Sequence, residues 1–577
     1  MHESGPVPSR IGWTAVGRGG RILAGAASIA AGLVLLAVAA GGGAEQQIAG
    51  LPDAGPLTRW GLPLVRFLYD LCAVGTVGTL LAAAVLAPAG SPERPACARA
   101  AGRWASGWAV TVVLSYLLTV SDVLARPVAD LLAAPDLLAA GLSVVQARVL
   151  PLVLAVVVAA AVATRVPRLP AAIPLVLAVL AIVPVAYVGH AASAADHDIA
   201  LSGLMTHLVT VSLWTGGLGA VLVHFRRSAD LPLVLRRFST IALCCFAGVA
   251  VSGVAAAWAR LDDPAHLWRS PYGWFLLAKT AALGVLALFG RAHRRRTVAH
   301  VADRGVRNVF TRLAVGELVV MGVAMALAVG LSRTPPPPAR GGGHDGLLEY
   351  DLAPFTPAGL LTEIRPDPLV LLLLALLAAG YLTGVRRAGS WPAGRTLAWF
   401  AGLALAGLVL LGGVGGYARA MLSAQALQLT VLAIAVPLLL CLGAPLTLAA
   451  RVTTASSQYG ALAARPPRRP TALLAVLPIA YMIAFPLLYR TGWLQWALSR
   501  HGPHLLTAAL FLAGGLVVFW MLAGADPLPS RISRRVRAAL CGSLATVLLV
   551  MGVFLLAGPP VAGDWFSVAA RPAGRRP

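Results

Sequence analysis

Residues 148–190 read RVLPLVLAVVVAAAVATRVPRLPAAIPLVLAVLAIVPVAYVGH. Two runs of Ala, Leu, Val and Ile, at 147–164 and 171–189, stand on either side of a short turn that carries Arg165 and Arg168. Each run approaches the roughly 20 residues that a helix needs to cross about 30 Å of hydrocarbon. Two spans folded back through a basic loop form a membrane hairpin. The same unit recurs in both directions along the chain, from 22–42 near the start to 538–558 near the end. The count is about fifteen by the hydropathy criterion. Composition agrees: of 577 residues 58% are hydrophobic and 12% charged, and the mean hydropathy is +0.81. The expected fold is all-α, a polytopic transmembrane helix bundle, because a β-barrel would show short alternating segments and other spanning structures would leave backbone groups unpaired.

Charge orients the bundle. The formal net charge of +24 is spread over short clusters between apolar runs, with no basic domain to hold a duplex, so nucleic acid is excluded as a partner. Basic loops alternate with acidic or mixed ones. Arg94/Arg99/Arg103, Arg226/Arg227/Arg236/Arg237, Arg291 to Arg296 and Arg531 to Arg537 fall on one side, and Asp130/Asp136, Asp196/Asp198 and Asp345/Glu349/Asp351 on the other. The positive-inside rule puts the N-terminus in the cytoplasm and the C-terminus outside, in a multi-pass protein of the plasma membrane. The first run, followed by AVAAGGGAEQQ, also fits a signal peptide; its length favours an uncleaved anchor. One seam stands out. SRTPPPPARGGGHDG, residues 332–346, is a stiff proline run followed by flexible glycines on the outer face, an inter-domain linker between 1–331, with about nine helices, and 347–577, with about six.

The hairpin at 148–190 leads into VGHAASAADHDIALSGLMTH, residues 188–207, which gathers His190, Asp196, His197, Asp198, Met205 and His207 at an outer connection between two spans. Neutral imidazoles ligate copper or zinc, a thioether suits Cu(I), and carboxylates orient the rings or capture the ion. The plainer alternative is a solvated loop. Within spans, Asp70, Lys279 and Glu317 are the charged residues; they read as an ion path or as a structural ion pair, with Lys279 within reach of both acids. In SLWTGGLGAVL, residues 212–222, Gly216, Gly217 and Gly219 serve close helix packing. His501 and His504, spaced i, i+3, form a secondary candidate metal pair at another outer helix end. His224, His293 and His300 lie among arginines, which disfavours cations. Six cysteines show no C-x-x-C spacing and read as small buried hydrophobes. No phosphate loop, nucleophile elbow or H-E-x-x-H supports an enzyme.

GLPDAGPLTRWGLPLVRFLYDLCAVGTVG, GHAASAADHD, THLVTVSLWTGGL, RRFSTIALCCFAGVAVSG, SPYGWFLLAKTAAL and ELVVMGVAMALAVGLSRTPPP together resemble the copper-resistance D (CopD) family. After the linker, TPAGLLTEIRPDPL, LLLCLGAPLTLAAR and VFWMLAGADPLPSRI resemble the cytochrome c oxidase assembly protein CtaG family. The resemblance runs through nearly the whole chain in order and implies a fused CopD–CtaG protein. It implies copper as the bound ion, with His190, His197 and His207 at polar positions of the first family's pattern. In the second half the family typically reads SAHMVQHM where this chain has SAQALQLT; Gln425 and Leu429 stand for the histidines, and two further family histidines are also missing.

The expected function is therefore a membrane protein that binds copper at its outer face and transports it or hands it on. Its partners are the lipid bilayer, the copper ion, and cytochrome c oxidase subunits or a periplasmic copper chaperone. Two other readings compete. One is an assembly scaffold for a respiratory oxidase that binds no metal; the other is an electron carrier that ligates haem between facing histidines.

Overall fold

A computed structural model describes residues 52–144, 146–166, 169–186, 197–261, 263–295, 304–331, 352–452, 471–527 and 532–569, with a few single positions between 334 and 350. Among them all regular structure is helical. Eleven helices are long and apolar enough to cross a membrane, and three shorter apolar ones accompany them. The run at 22–42 and most of the linker lie outside the described residues.

The main helices are α1 Gly55–Leu81, α2 Glu93–Leu124, α3 Leu150–Ala163, α4 Ala172–Ala186, α5 His197–Ala220, α6 Leu231–Trp258, α7 Pro271–His293 and α8 Arg304–Leu331. Beyond residue 347 come α9 Pro368–Ala388, α10 Ala393–Leu411, α11 Leu422–Thr430 with its continuation Val436–Leu442, then α12 Thr471–Arg490, α13 His501–Ala523 and α14 Arg534–Ala557. Several spans open on proline in the first turn, at Pro56, Pro151, Pro232, Pro271 and Pro368, where the missing N–H costs nothing. The chain is a multi-pass membrane protein.

Two compact units divide the residues. The first is Met1–Ala194 with Leu204–Arg340; the second is Ala195–Gly203 with Gly341–Pro577. The opening turns of α5 therefore belong to the second unit.

In the first unit α1, α2, α3 and α4 pack in sequence, and α4 returns to α1. Trp108 is fully buried and meets Tyr69 edge-on at 5.7 Å. Helix α5 crosses α1 where Gly78 and Gly216 face each other: a Cβ on either would strike the other helix's backbone. Arg237 of α6 donates to the carbonyls of Val85 and Leu86 at 3.1 and 3.0 Å, satisfying acceptors that the end of α1's span leaves open.

In the second unit α10, Val436–Leu442 and α13 form the centre. Tyr381 stacks on Trp399 at 4.7 Å and donates to the Gly443 carbonyl. Asp526 accepts from the Leu446 and Thr447 amides and the Thr447 hydroxyl, capping Pro445–Val452.

Candidate functional site

The second unit contains a buried set of charged and polar side chains. Asp367 is the N-cap of α9; its Oδ1 accepts from the Val370 amide at 2.9 Å. Its Oδ2 accepts from the Ser202 hydroxyl at 2.5 Å and lies 2.9 Å from Nε2 of His501, the first residue of α13. Nδ1 of His501 is 3.5 Å from Asp198 Oδ2. Arg419 Nη1 donates to that same oxygen at 2.8 Å, and Arg419 Nε donates to the Leu498 carbonyl at 2.9 Å. Two carboxylates thus face one guanidinium and one imidazole, and the set is electrically neutral when His501 carries both ring protons. Burial works against the Asp367 carboxylate, but the hydrogen bond and charge of His501, with Ser202 and the Val370 amide, hold it below the usual carboxylate range. Arg419 is only 2% exposed, so the charges stand or fall together.

The first unit holds two smaller constellations. His207 Nδ1 is 3.1 Å from the Ser252 hydroxyl, which itself donates to the Val249 carbonyl at 3.0 Å. With that donor spent, Ser252 accepts from Nδ1–H. This tautomer leaves the Nε2 lone pair of His207 available to an electrophile. Deeper in the same unit Trp214 Nε1 donates to Glu317 Oε1 at 3.1 Å, and His293 Nε2 sits 3.1 Å from Glu317 Oε2. These groups border a cavity of about 310 Å³ between α5, α6, α7 and α8.

The candidates from sequence are distributed as follows. Asp198 and His501, read as members of separate candidate sites, are neighbours in one network. His504 lies one turn further along α13. Met205 is buried in α5. His197 opens α5, but its side chain, like His190 and Asp196, lies outside the described residues. Glu317 is engaged by Trp214 and His293 rather than by Lys279, and no ion pair joins Asp70 to Lys279 among the described residues. Among those residues no group of three or more His, Cys, Asp or Glu is arranged to hold a metal ion. In the Asp198–Asp367–His501 set Arg419 supplies the positive charge a metal would bring.

Sequence reasoning passed over Ser202, Asp367 and Arg419, and weighed His293 only as a cation ligand. Asp367 carries a legible signal, an aspartate immediately before Pro368 at the head of an apolar run. Arg419 carries another, being an arginine in a connection that the charge alternation places outside. In the second half Gln425 accepts from the Tyr489 hydroxyl at 3.0 Å, and Gln428 donates to the Val409 carbonyl at 2.8 Å. Leu429 is part of the core. The two positions where the resembling family keeps histidines, Gln425 and Leu429, are here committed to a side-chain hydrogen bond and to packing.

Residues 379–577 match the family model of the cytochrome c oxidase caa3 assembly factor, and residues 232–331 match that of copper resistance protein D. Uncharacterized proteins of Mycobacterium bovis and Mycobacterium tuberculosis are each 31% identical over 241 residues, 38% of this chain and 36% of theirs. The chain's match thus spans little more than a third of the length of those relatives. Copper transport protein CutJ of Bacillus subtilis is 26% identical over 160 residues, 27% of this chain and 29% of that one. No solved structure matches.

Proposed function

We propose that this chain, which joins a copper resistance protein D segment to a caa3 assembly-factor segment, binds copper at the outer face of the plasma membrane and transports it or passes it on towards oxidase assembly. The observation that carries the reading is the presence of both segments in one polypeptide, supported by similarity to a copper transport protein. Copper is the cargo. His190, His197 and His207 are its imidazole donors, Met205 its thioether, and Asp196 attracts the cation to the outer connection. The Ser252 hydrogen bond suits His207 to this task, since a partner at Nδ1 orients the ring and frees Nε2. Asp198, shared by Arg419 and His501, anchors the end of the segment. The cytoplasmic N-terminus and outer C-terminus set by the charge alternation belong to the same proposal, as do a copper-handling region at 1–331 and an assembly region at 347–577. Oxidase subunits or a periplasmic copper chaperone receive the ion.

The test is a copper titration of the purified full chain against His190→Ala/His197→Ala/His207→Ala. Affinity in the triple variant is expected to fall at least about tenfold, the scale of losses when metal sites are disturbed. Equal copper retained by both proteins overturns the reading.

A second reading applies to the second half, favoured by the packing of Gln425, Gln428 and Leu429: this region is a docking scaffold and coordinates no copper of its own.

A further inference from the structure

The cavity in the first unit has a character that copper handling does not use. Much of its wall is apolar, formed by Leu218, Phe238, Leu243, Phe246 and Leu286 on three helices. At about 310 Å³ it equals on the order of ten water molecules. That apolar stretch offers water few partners, while the polar groups of Ser239, His293 and Glu317 lie on the rest of the wall. A bilayer offers one abundant apolar filler, the acyl chain. The volume accommodates part of one chain.

One rim of the cavity is charged. Arg291 lies in the last turn of α7, and Arg294 is its C-cap; both line the cavity and both are exposed. Glu317 on the wall lies against Trp214 at Oε1 and His293 at Oε2 rather than against either arginine, so at most one carboxylate charge is set against two guanidiniums. The partial negative charge at the end of α7 amounts to about half a unit, less than two guanidiniums. Basic pockets between transmembrane helices attract anionic headgroups, and each arginine near the surface contributes about a fivefold preference. Guanidinium forks also match phosphate oxygens in geometry.

We propose that this cavity is a binding site for an anionic phospholipid, with one acyl chain between α5, α6, α7 and α8 and the phosphate on Arg291 and Arg294. The occupant wedges four helices at the point where the His293–Glu317–Trp214 contacts join three of them. A resident lipid then stabilises the unit in the manner of any ligand that binds only the folded form.

Native mass spectrometry of the full chain in detergent tests this, with palmitoyl-oleoyl phosphatidylglycerol and the phosphatidylcholine of the same chains as probes. The expected result is retention of phosphatidylglycerol at least about fivefold above phosphatidylcholine. Arg291→Gln/Arg294→Gln lowers phosphatidylglycerol to the phosphatidylcholine level, while Arg291→Lys/Arg294→Lys keeps a preference. Ala242→Phe, which fills the cavity from α6, lowers retention of both lipids. Equal retention of the two lipids by the wild-type chain overturns the proposal. So does wild-type retention by the glutamine pair or by Ala242→Phe, or the capture of added oleic acid in place of phosphatidylglycerol.

Discussion

Arg419 is the residue on which the buried network of the second unit depends. Its guanidinium bonds Asp198 and the Leu498 carbonyl, and its own carbonyl accepts from Trp565 Nε1 at 2.8 Å. Removing one member of a buried ion pair leaves the other charge uncompensated, at a cost of about 3–5 kcal/mol, whereas replacing both with apolar groups is often neutral. Arg419→Met is therefore expected to lower the melting temperature of the detergent-solubilised protein sharply, and Arg419→Met/Asp198→Leu to recover most of the loss. A double variant no more stable than the single one contradicts this account. At this scale the sequence was legible by type and opaque by partnership. The stretch 188–207 announced its polarity, and Asp367 its capping role. Nothing in spacing links Asp198 to Arg419, which lie 221 positions apart, nor directs Glu317 to His293 instead of Lys279. Pairings of this kind are set by which helices meet.

Helices themselves were the most legible level. The described part of each apolar run from 62–86 onward is helical, because length and transfer free energy alone mark such a run; eleven of these helices are long enough to cross a membrane, and Leu150–Ala163, Ala172–Pro184 and Val476–Arg490 are shorter. Neighbours are another matter. Lipid tails are as apolar as leucine, so hydropathy carries no instruction about which span packs on which; close contact is left to small residues. Of the glycines in SLWTGGLGAVL, Gly216 meets the backbone of α1 at Val74 and Gly78, Gly217 meets Phe238 and Leu81, and Gly219 faces open space. A methyl group at 216 has backbone against it and cannot be accommodated by a side-chain rotation. Gly216→Ala is expected to reduce both yield and melting temperature, by about 1–3 kcal/mol for overpacking. Gly219→Ala should match the wild type. Similar behaviour of the two variants removes the crossing as an explanation for the motif.

For the molecule as a whole, charge alternation, the proline–glycine seam and two successive resemblances pointed to two regions in tandem. The compact units add a detail that no composition shift marks: residues 195–203 group with the second unit although they precede the seam by more than a hundred positions. Those nine residues bring Asp198 and Ser202, which occupy Arg419 and Asp367. Residues 341–577 expressed alone therefore leave a buried guanidinium and a buried carboxylate short of partners. That fragment is expected to be depleted from the membrane fraction, and co-expression of residues 1–340 should restore it. Equal abundance of the lone fragment and the full chain contradicts the expectation.

The grouping of 195–203 also bears on inheritance. The proline–glycine seam and the place where one folded body ends are different addresses in this chain. A recombination event at the seam, or an engineered swap of one half for a homologue's, carries away a protein that lacks nine of its own residues. The two halves are thus not interchangeable cassettes, and a lineage that separated them again would have to replace Asp198 and Ser202 from within residues 341–577 or lose Arg419 and Asp367 with them.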